Sequence, residues 1–168
     1  MMACVGLVLQ AQRLPGWKDC NDEEKLRKVN FMWMHKSFGV LSLLTMMPRV
    51  YFRMTRRLPA HAGQEQWETV LSQLSHYGLY ALVVAMPVTG VTMGLASGNG
   101  LPFFITTIPP LSGEFGKATS GWLAGKAYQL HSWGGQALEY MIALHVGAVG
   151  YHHLVKKHNI VTRVNPFI

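Results

Sequence analysis

Residues 70–96, VLSQLSHYGLYALVVAMPVTGVTMGLA, decide the fold class of this chain. These 27 residues include no Asp, Glu, Lys or Arg, and none occurs anywhere between Glu68 and Glu114. A helix needs about 20 mostly apolar residues to cross a bilayer. The alternative, a buried core helix of a soluble protein, is disfavoured because the stretch has no polar stripe to face water. The stretch therefore predicts a transmembrane helix.

Two further stretches are long enough to cross a bilayer, from about Phe31 to Arg53 and from about Tyr128 to Val155. Pro48 and Pro87 fall inside predicted helices, which membrane proteins tolerate because neighbouring helices satisfy the freed carbonyl groups. Met1 to Gln12 is apolar but only about 18 Å long as a helix, so it predicts the closing half of a fourth helix. We therefore expect an all-α fold. It is a transmembrane helical bundle of three full spans plus a partial N-terminal helix, in one membrane-embedded domain over residues 1–168.

The composition excludes several function classes. Charged residues make up 14% of the chain, roughly half of what soluble domains carry. The net charge of +7 comes from residues that flank the apolar stretches, so no nucleic acid partner is expected. Cys4 and Cys20 lack the spacing of a metal knuckle and are interpreted as free thiols.

The connections between the predicted spans differ in character. Arg13 to Lys28 has mixed charge and is expected to be a loop, and Ser97 to Ala127, rich in Gly, Pro and Thr, is expected to be irregular. Basic residues gather in the connection from Arg49 to Glu68 and after the last span. By the distribution of Lys and Arg, that side faces the cytoplasm of a bacterium or the matrix of a mitochondrion.

Three of the eight histidines are the strongest functional candidates. His35 opens the first span and His131 the third, and because successive spans alternate in direction, both lie near the same membrane face. Two imidazoles at one depth can bind a haem iron from opposite sides. Gly39 and Gly135 each follow a histidine by one helical turn and leave room for a flat porphyrin, although small residues also serve helix packing alone.

His145 predicts a second depth in the membrane at which a histidine binds haem iron. It follows His131 by 14 residues, so the two project from nearly one face about 21 Å apart. This is the pattern of two haems, one in each leaflet; the alternative is a buried histidine bonded to a neighbouring helix. A partner for His145 would be expected on the absent first half of the N-terminal helix, since Cys4 lies at the wrong depth.

The sequence resembles the prokaryotic-type cytochrome b561 family of four-helix, di-haem membrane cytochromes. The resemblance rests on the order and spacing of HKSFGVLSLL (35–44), LSHYGLYALVVAMPVTGVTMGLASG (74–98), FFITTIPPL (103–111), HSWGGQALEYMIALHVGAVGYHHLV (131–155) and NIVTRVNP (159–166). It implies haem ligation by His35, His131 and His145. The family's first-helix histidine has no counterpart here. Either the second haem is lost, it is held five-coordinate or by another subunit, or the recorded N-terminus is incomplete.

Other polar residues have weaker assignments. Glu139 lies between the two histidine levels and is either a solvated or protonated carboxylate or a proton-handling group near a quinone. His76 matches a family histidine that is not an axial ligand. His152 and His153 either anchor the helix at the interface or meet haem propionates or a quinone head group. Arg49, Arg53 and Lys156 are further candidates to meet haem propionates or a quinone head group.

The resemblance implies a membrane electron-transfer protein with one or two haem b groups, linked to quinone or to a respiratory complex. Membrane lipid, a quinone such as ubiquinone and other membrane subunits are the expected partners. Members similar to superoxide or quinol oxidoreductases would make the chain an enzyme; others anchor dehydrogenases. The alternative is a structural or accessory subunit that has lost one or both haems. The expected location is a bacterial or mitochondrial inner membrane.

Overall fold

A computed structural model of the chain describes residues 2–16, 18–55, 66–111 and 117–157. These residues form four helices and one hairpin: α1 Met2–Arg13, α2 Asp22–Thr55, α3 Gln66–Ala96, β1 Leu101–Phe103, β2 Thr106–Ile108 and α4 Lys117–Leu154. The predicted all-α class is confirmed. Each predicted span lies within one of these helices apart from Val155, one residue beyond α4, and Pro48 and Pro87 remain helical.

The helices pack in chain order. α3 and α4 form the most extensive interface, α1 packs on α2, and α2 packs on α3. α2 and α4 make no comparably extensive backbone contact within the described residues. The space between α2 and α4 is therefore bounded mainly by side chains.

The N-terminal part of α2 corrects the sequence analysis, which had predicted a loop up to Lys28. The helix begins at Asp22 because Asn21 and Glu24 form a reciprocal capping box. The side chain of Asn21 accepts from the Glu24 backbone N–H at 2.8 Å, and the Glu24 carboxylate accepts from the Asn21 N–H at 2.9 Å. Ion pairs one turn apart, including that of Arg27 with Glu23, add local support. Local pairing therefore extends α2 well before its apolar part.

The connection from Ser97 to Ala127 is also more ordered than predicted. A two-stranded antiparallel hairpin pairs Leu101 with Ile108 and Phe103 with Thr106, and residues 117–127 already belong to α4. The tip is fixed to α2, because the Phe104 N–H donates to the hydroxyl of fully buried Ser37 (2.9 Å) and the Phe104 carbonyl accepts from the Trp33 indole (2.8 Å). Tertiary contacts thus order a segment whose composition predicts a loop.

Several small polar side chains are buried and many large apolar ones are exposed, which is unusual for a soluble protein. Small polar side chains such as Ser42 and Ser120 are buried, whereas large apolar ones such as Leu71, Leu74 and Leu144 are exposed. Lipid-embedded bundles show this arrangement because helices approach closely at small residues and lipid covers the apolar surface. Among the described helices, α3 alone is long and apolar enough to span a membrane, with a mean hydropathy of 1.8 over an 18-residue window. α2 and α4, which the sequence analysis also predicted as full spans, are longer but do not meet this criterion of length and hydropathy.

Candidate haem site

His35 of α2 and His131 of α4 face each other across the bundle. Their ring centroids are 6.0 Å apart, with 79° between the ring planes. Two imidazoles on opposite sides of one metal ion, each at a metal–nitrogen distance of about 2 Å, have ring centres roughly 6 Å apart. The pair predicted from the sequence therefore has a separation suited to axial ligation of one iron.

Hydrogen bonds leave the same nitrogen of each ring available. The Nδ1 atom of His35 lies 3.1 Å from the carbonyl oxygen of Cys4, and that of His131 lies 3.0 Å from the carbonyl oxygen of Met86. A carbonyl can only accept, so both Nδ1 atoms carry the proton and donate. Nε2 of each ring then keeps its lone pair, as a metal-bound imidazole requires. Both rings are in the tautomer that binds iron.

Thr89 supplies a further contact to His131. Its hydroxyl lies 3.1 Å from Nδ1 of that ring and donates its own proton to the Ala85 carbonyl at 2.8 Å. The hydroxyl oxygen can therefore accept from the histidine. Sequence reasoning missed both Thr89 and the two backbone carbonyls. Its only available signal for Thr89 was a hydroxyl residue close to Pro87 within α3.

A cavity of about 290 Å³ adjoins the histidine pair, and its lining includes His35, Gly39, His131 and Gly135. A Cβ atom at Gly39 would meet nothing within 4 Å, and one at Gly135 would meet only the Met86 methyl group at 3.5 Å. The glycines thus leave space beside the rings, as a porphyrin needs. The cavity is at the small end of ligand sites, and Met86 is a flexible side chain that can rearrange within it.

The donor set of this site also fits haem. Among the described residues, no three His, Cys, Asp or Glu side chains come together closely enough to hold a metal ion. His35 and His131 supply only two nitrogens, and a porphyrin supplies the remaining four around an iron. The residues present therefore match the axial positions of a haem rather than a complete protein-built metal centre.

His145 has a neighbour that the sequence analysis did not assign to it. Its ring lies against that of His76 of α3, with centroids 5.2 Å apart and 74° between planes. Cys4, by contrast, lies at the level of His35, so it is not near the second histidine level. Whether His145 binds iron stays a prediction.

The remaining candidates lie along the cavity and toward the positive side of the bundle. Glu139 lines the cavity beside His131, and its proton-handling role stays a prediction. Toward the positive side, Lys156 pairs with buried Glu68, and Arg53 lies over the ring of Tyr80 at 5.2 Å. These two cations already have protein partners, so their assignment to propionates or a quinone gains no support. Arg56, Arg57, His61, His158 and Arg163 lie outside the described residues.

The family model for prokaryotic cytochrome b561 matches residues 2–166. The chain belongs to the prokaryotic cytochrome b561 family. It is accordingly an integral membrane protein of the b-type cytochrome class, with electron transfer as its general function and haem b as its implied cofactor. The match begins at residue 2, so the family region includes α1 as well as the part from Phe31 onward that the sequence resemblance covered. No curated protein matches the chain.

The family also narrows the expected location. The match is to the prokaryotic type, so it gives no support to the mitochondrial alternative. A bundle of membrane helices with two histidines held in the iron-binding tautomer is consistent with a b-type cytochrome, because haem b is held only by its axial ligands and by packing around the ring.

Proposed function

We propose that this chain is a b-type cytochrome of a bacterial inner membrane, and that it exchanges electrons with quinone or a respiratory partner through haem bound by His35 and His131. One observation carries the proposal: two imidazoles 6.0 Å apart, each with Nδ1 committed to a backbone carbonyl, beside a cavity lined by glycine. When bound, haem b supplies the one-electron redox chemistry. The chain supplies the ligands, their orientation and apolar surroundings.

The proposed membrane arrangement has α2, α3 and α4 as full spans and α1 as a partial one. Helices of 34, 31 and 38 residues exceed the roughly 20 needed. Exposed Leu, Val, Met and aromatic side chains on their outer surfaces support contact with lipid. Arg49 and Lys157 lie at the opposite end from the capped start of α2, which supports a cytoplasmic position for that end.

A second cavity supports the quinone part of the proposal. It has a volume of about 770 Å³, lies between the end of α1, α2 and Pro102, and shares Val8, Gln12, Met32 and Lys36 with the histidine cavity. Ligand sites combine apolar walls with a few polar groups that fix orientation. Gln12 and Lys36 are such groups, and they could donate to the carbonyl oxygens of a quinone ring close to the haem.

The test is haem binding and its response to quinol. We expect the purified chain to show a b-type pyridine haemochrome spectrum that is lost in His35→Ala and His131→Ala. Tyr140→Ala, which removes an exposed aromatic ring from α4, is the control and should keep the haem. Decylubiquinol should reduce the haem, and more slowly in Lys36→Met. A chain without haem would refute the cytochrome, and haem that decylubiquinol does not reduce would refute the quinone link alone.

A further inference from the structure

The tip of the β1–β2 hairpin carries large apolar side chains where a tight turn usually carries small polar ones. Phe104 and Ile105 form the two-residue connection between the paired strand ends Phe103 and Thr106. Connections of this length favour Asn-Gly or Asp-Gly, because the left-handed backbone conformation leaves little room for a side chain. Phe104 nevertheless has a φ of 48°, and Ile105 is 100% exposed. An aromatic ring and an isoleucine therefore occupy the tip although they make the turn harder to form.

The hairpin tip is fixed at one height on α2. The Phe104 N–H donates to the Ser37 hydroxyl, and the Phe104 carbonyl accepts from the Trp33 indole. The ring of Phe104 also packs edge to face against that of Phe38, with centroids 5.5 Å apart. These contacts set the depth of the tip relative to α2 and leave the Ile105 side chain directed away from the protein.

That height corresponds to the boundary between lipid and water. The apolar span of α2 is predicted from about Phe31, roughly 3 Å along the helix before Trp33. Tryptophan is enriched at this boundary because its ring is largely apolar and its N–H is polar. Within the hydrocarbon interior the open edges of a two-stranded hairpin would lack partners. At the boundary the strand edges meet water and head groups, and the tip side chains alone need to enter the apolar region.

We propose that Phe104 and Ile105 insert into the acyl-chain boundary of the leaflet on the side where α2 begins, with lipid as the partner of the hairpin tip. No Asp, Glu, Lys or Arg occurs in residues 97–111, so nothing charged opposes the insertion. Leu41, one turn after Phe38, is exposed and continues the apolar surface of α2 toward the membrane interior. Apolar groups held at this boundary reach about 5–10 Å into it. The insertion presupposes the proposed membrane arrangement but not the haem.

The same hairpin forms part of the wall of the cavity proposed for quinone. Pro102, two residues before the tip, lines that cavity, and Leu101 is buried at 2% exposure. A tip held in lipid places this wall at the depth of the membrane boundary. A quinone dissolved in the bilayer then meets the cavity at that depth.

The experiment measures the depth of a fluorescent nitrobenzoxadiazole label on Ile105→Cys, in the full chain reconstituted into vesicles of phosphatidylethanolamine and phosphatidylglycerol. Because the Ile105 side chain is fully exposed, its replacement should leave the fold unchanged. Asp22→Cys, at the exposed start of α2, is the aqueous reference, and Leu44→Cys, farther along the same helix, is the lipid reference. Cys4 and Cys20 are buried, and the unsubstituted chain measures any label that they take up.

We expect aqueous iodide to quench the label at position 105 several-fold less than the label at position 22. Lipids with a nitroxide near the head group should quench it more than lipids with a nitroxide near the chain end. The order should be reversed at position 44, which lies roughly 16 Å along α2 from Trp33.

Three outcomes would contradict this expectation, and they have different meanings. Equal iodide quenching at positions 105 and 22 would refute the insertion. Protection of position 105 from both iodide and the lipid nitroxides would refute lipid as the partner, because another protein or a second copy of the chain would then cover the tip. Iodide quenching at position 44 as strong as at position 22 would refute the proposed membrane arrangement itself.

Discussion

Replacing Gly39 with leucine should weaken haem binding without harming the helix. A side chain at this position points into open space beside His35, in a cavity of about 290 Å³. Crowding a packed site by a few carbon atoms costs about 1–3 kcal/mol, and 1.4 kcal/mol corresponds to a factor of ten. We therefore expect haem affinity to fall roughly 5- to 150-fold, because the leucine takes space that the porphyrin needs.

Gly147 is the matched control for this substitution. It also lies within a long helix, a Cβ atom there also meets nothing within 4 Å, and it does not line the cavity. Both substitutions remove a helical glycine, which favours the helix by about 0.8–1 kcal/mol, so neither should lower the unfolding temperature of the apoprotein. The assay is a haem titration of the apoprotein followed by absorbance. Equal affinity in Gly39→Leu and Gly147→Leu would show that the cavity is not the haem site.

Two other substitutions test the contacts around the site. Thr89→Val removes one acceptor of the His131 N–H but leaves a backbone carbonyl of α3, so haem affinity should fall less than the roughly 10- to 100-fold typical of losing an outer-shell partner. Thr92→Val is the control, because the Thr92 hydroxyl bonds only within its own helix. Equal haem affinities of the two variants would show that Thr89 does not contribute to the site. Ser37→Ala leaves the N–H at the hairpin tip without its acceptor and should cost about 1–3 kcal/mol in thermal unfolding. Thr45→Val, which loses only hydroxyl bonds to its own helix, should cost less; an equal cost would contradict the proposed fixing of the hairpin.

The sequence predicted the helices best where hydropathy alone determines them. The predicted span begins at Val70, four residues after α3 begins at Gln66, and both end at Ala96. The start of α2 was predicted poorly, because residues 22–28 are highly charged and hydropathy assigns them to a loop. Their helix depends on a capping box and on charge pairs one turn apart, which are local effects that a search for apolar spans does not detect.

The proximity of His35 and His131 was predictable from the sequence, whereas the groups that surround them were not. The alternation of spans places His35 and His131 at one depth, and the structure brings their rings together. The carbonyls of Cys4 and Met86 could not have been predicted, since every residue has a carbonyl and only the rotation and depth of each helix determine which ones reach a histidine. The sequence shows which side chains are present, whereas the backbone contacts between helices depend on how the helices pack.

The pairing of His76 with His145 was predictable in principle from the same alternation. α3 begins and α4 ends on one side of the membrane, so a histidine early in α3 and one late in α4 lie at similar depth. The sequence analysis instead expected the partner of His145 on the absent first half of the N-terminal helix. Topology alone already offered a partner within the described residues, and the ring contact is where the structure places it.

The two histidine pairs occupy the two kinds of helix contact that the bundle provides. α3 and α4 pack closely, so a pair of imidazoles between them can meet directly and needs no added group to fill space. α2 and α4 remain apart, and the imidazoles between them stand beside a cavity that the protein itself does not fill. In a lipid environment apolar side chains gain little by leaving the lipid for such a gap. A cofactor that ligates both histidines and fills the cavity would supply the missing contact between α2 and α4. The weak α2–α4 packing is therefore a reason to expect haem at His35 and His131.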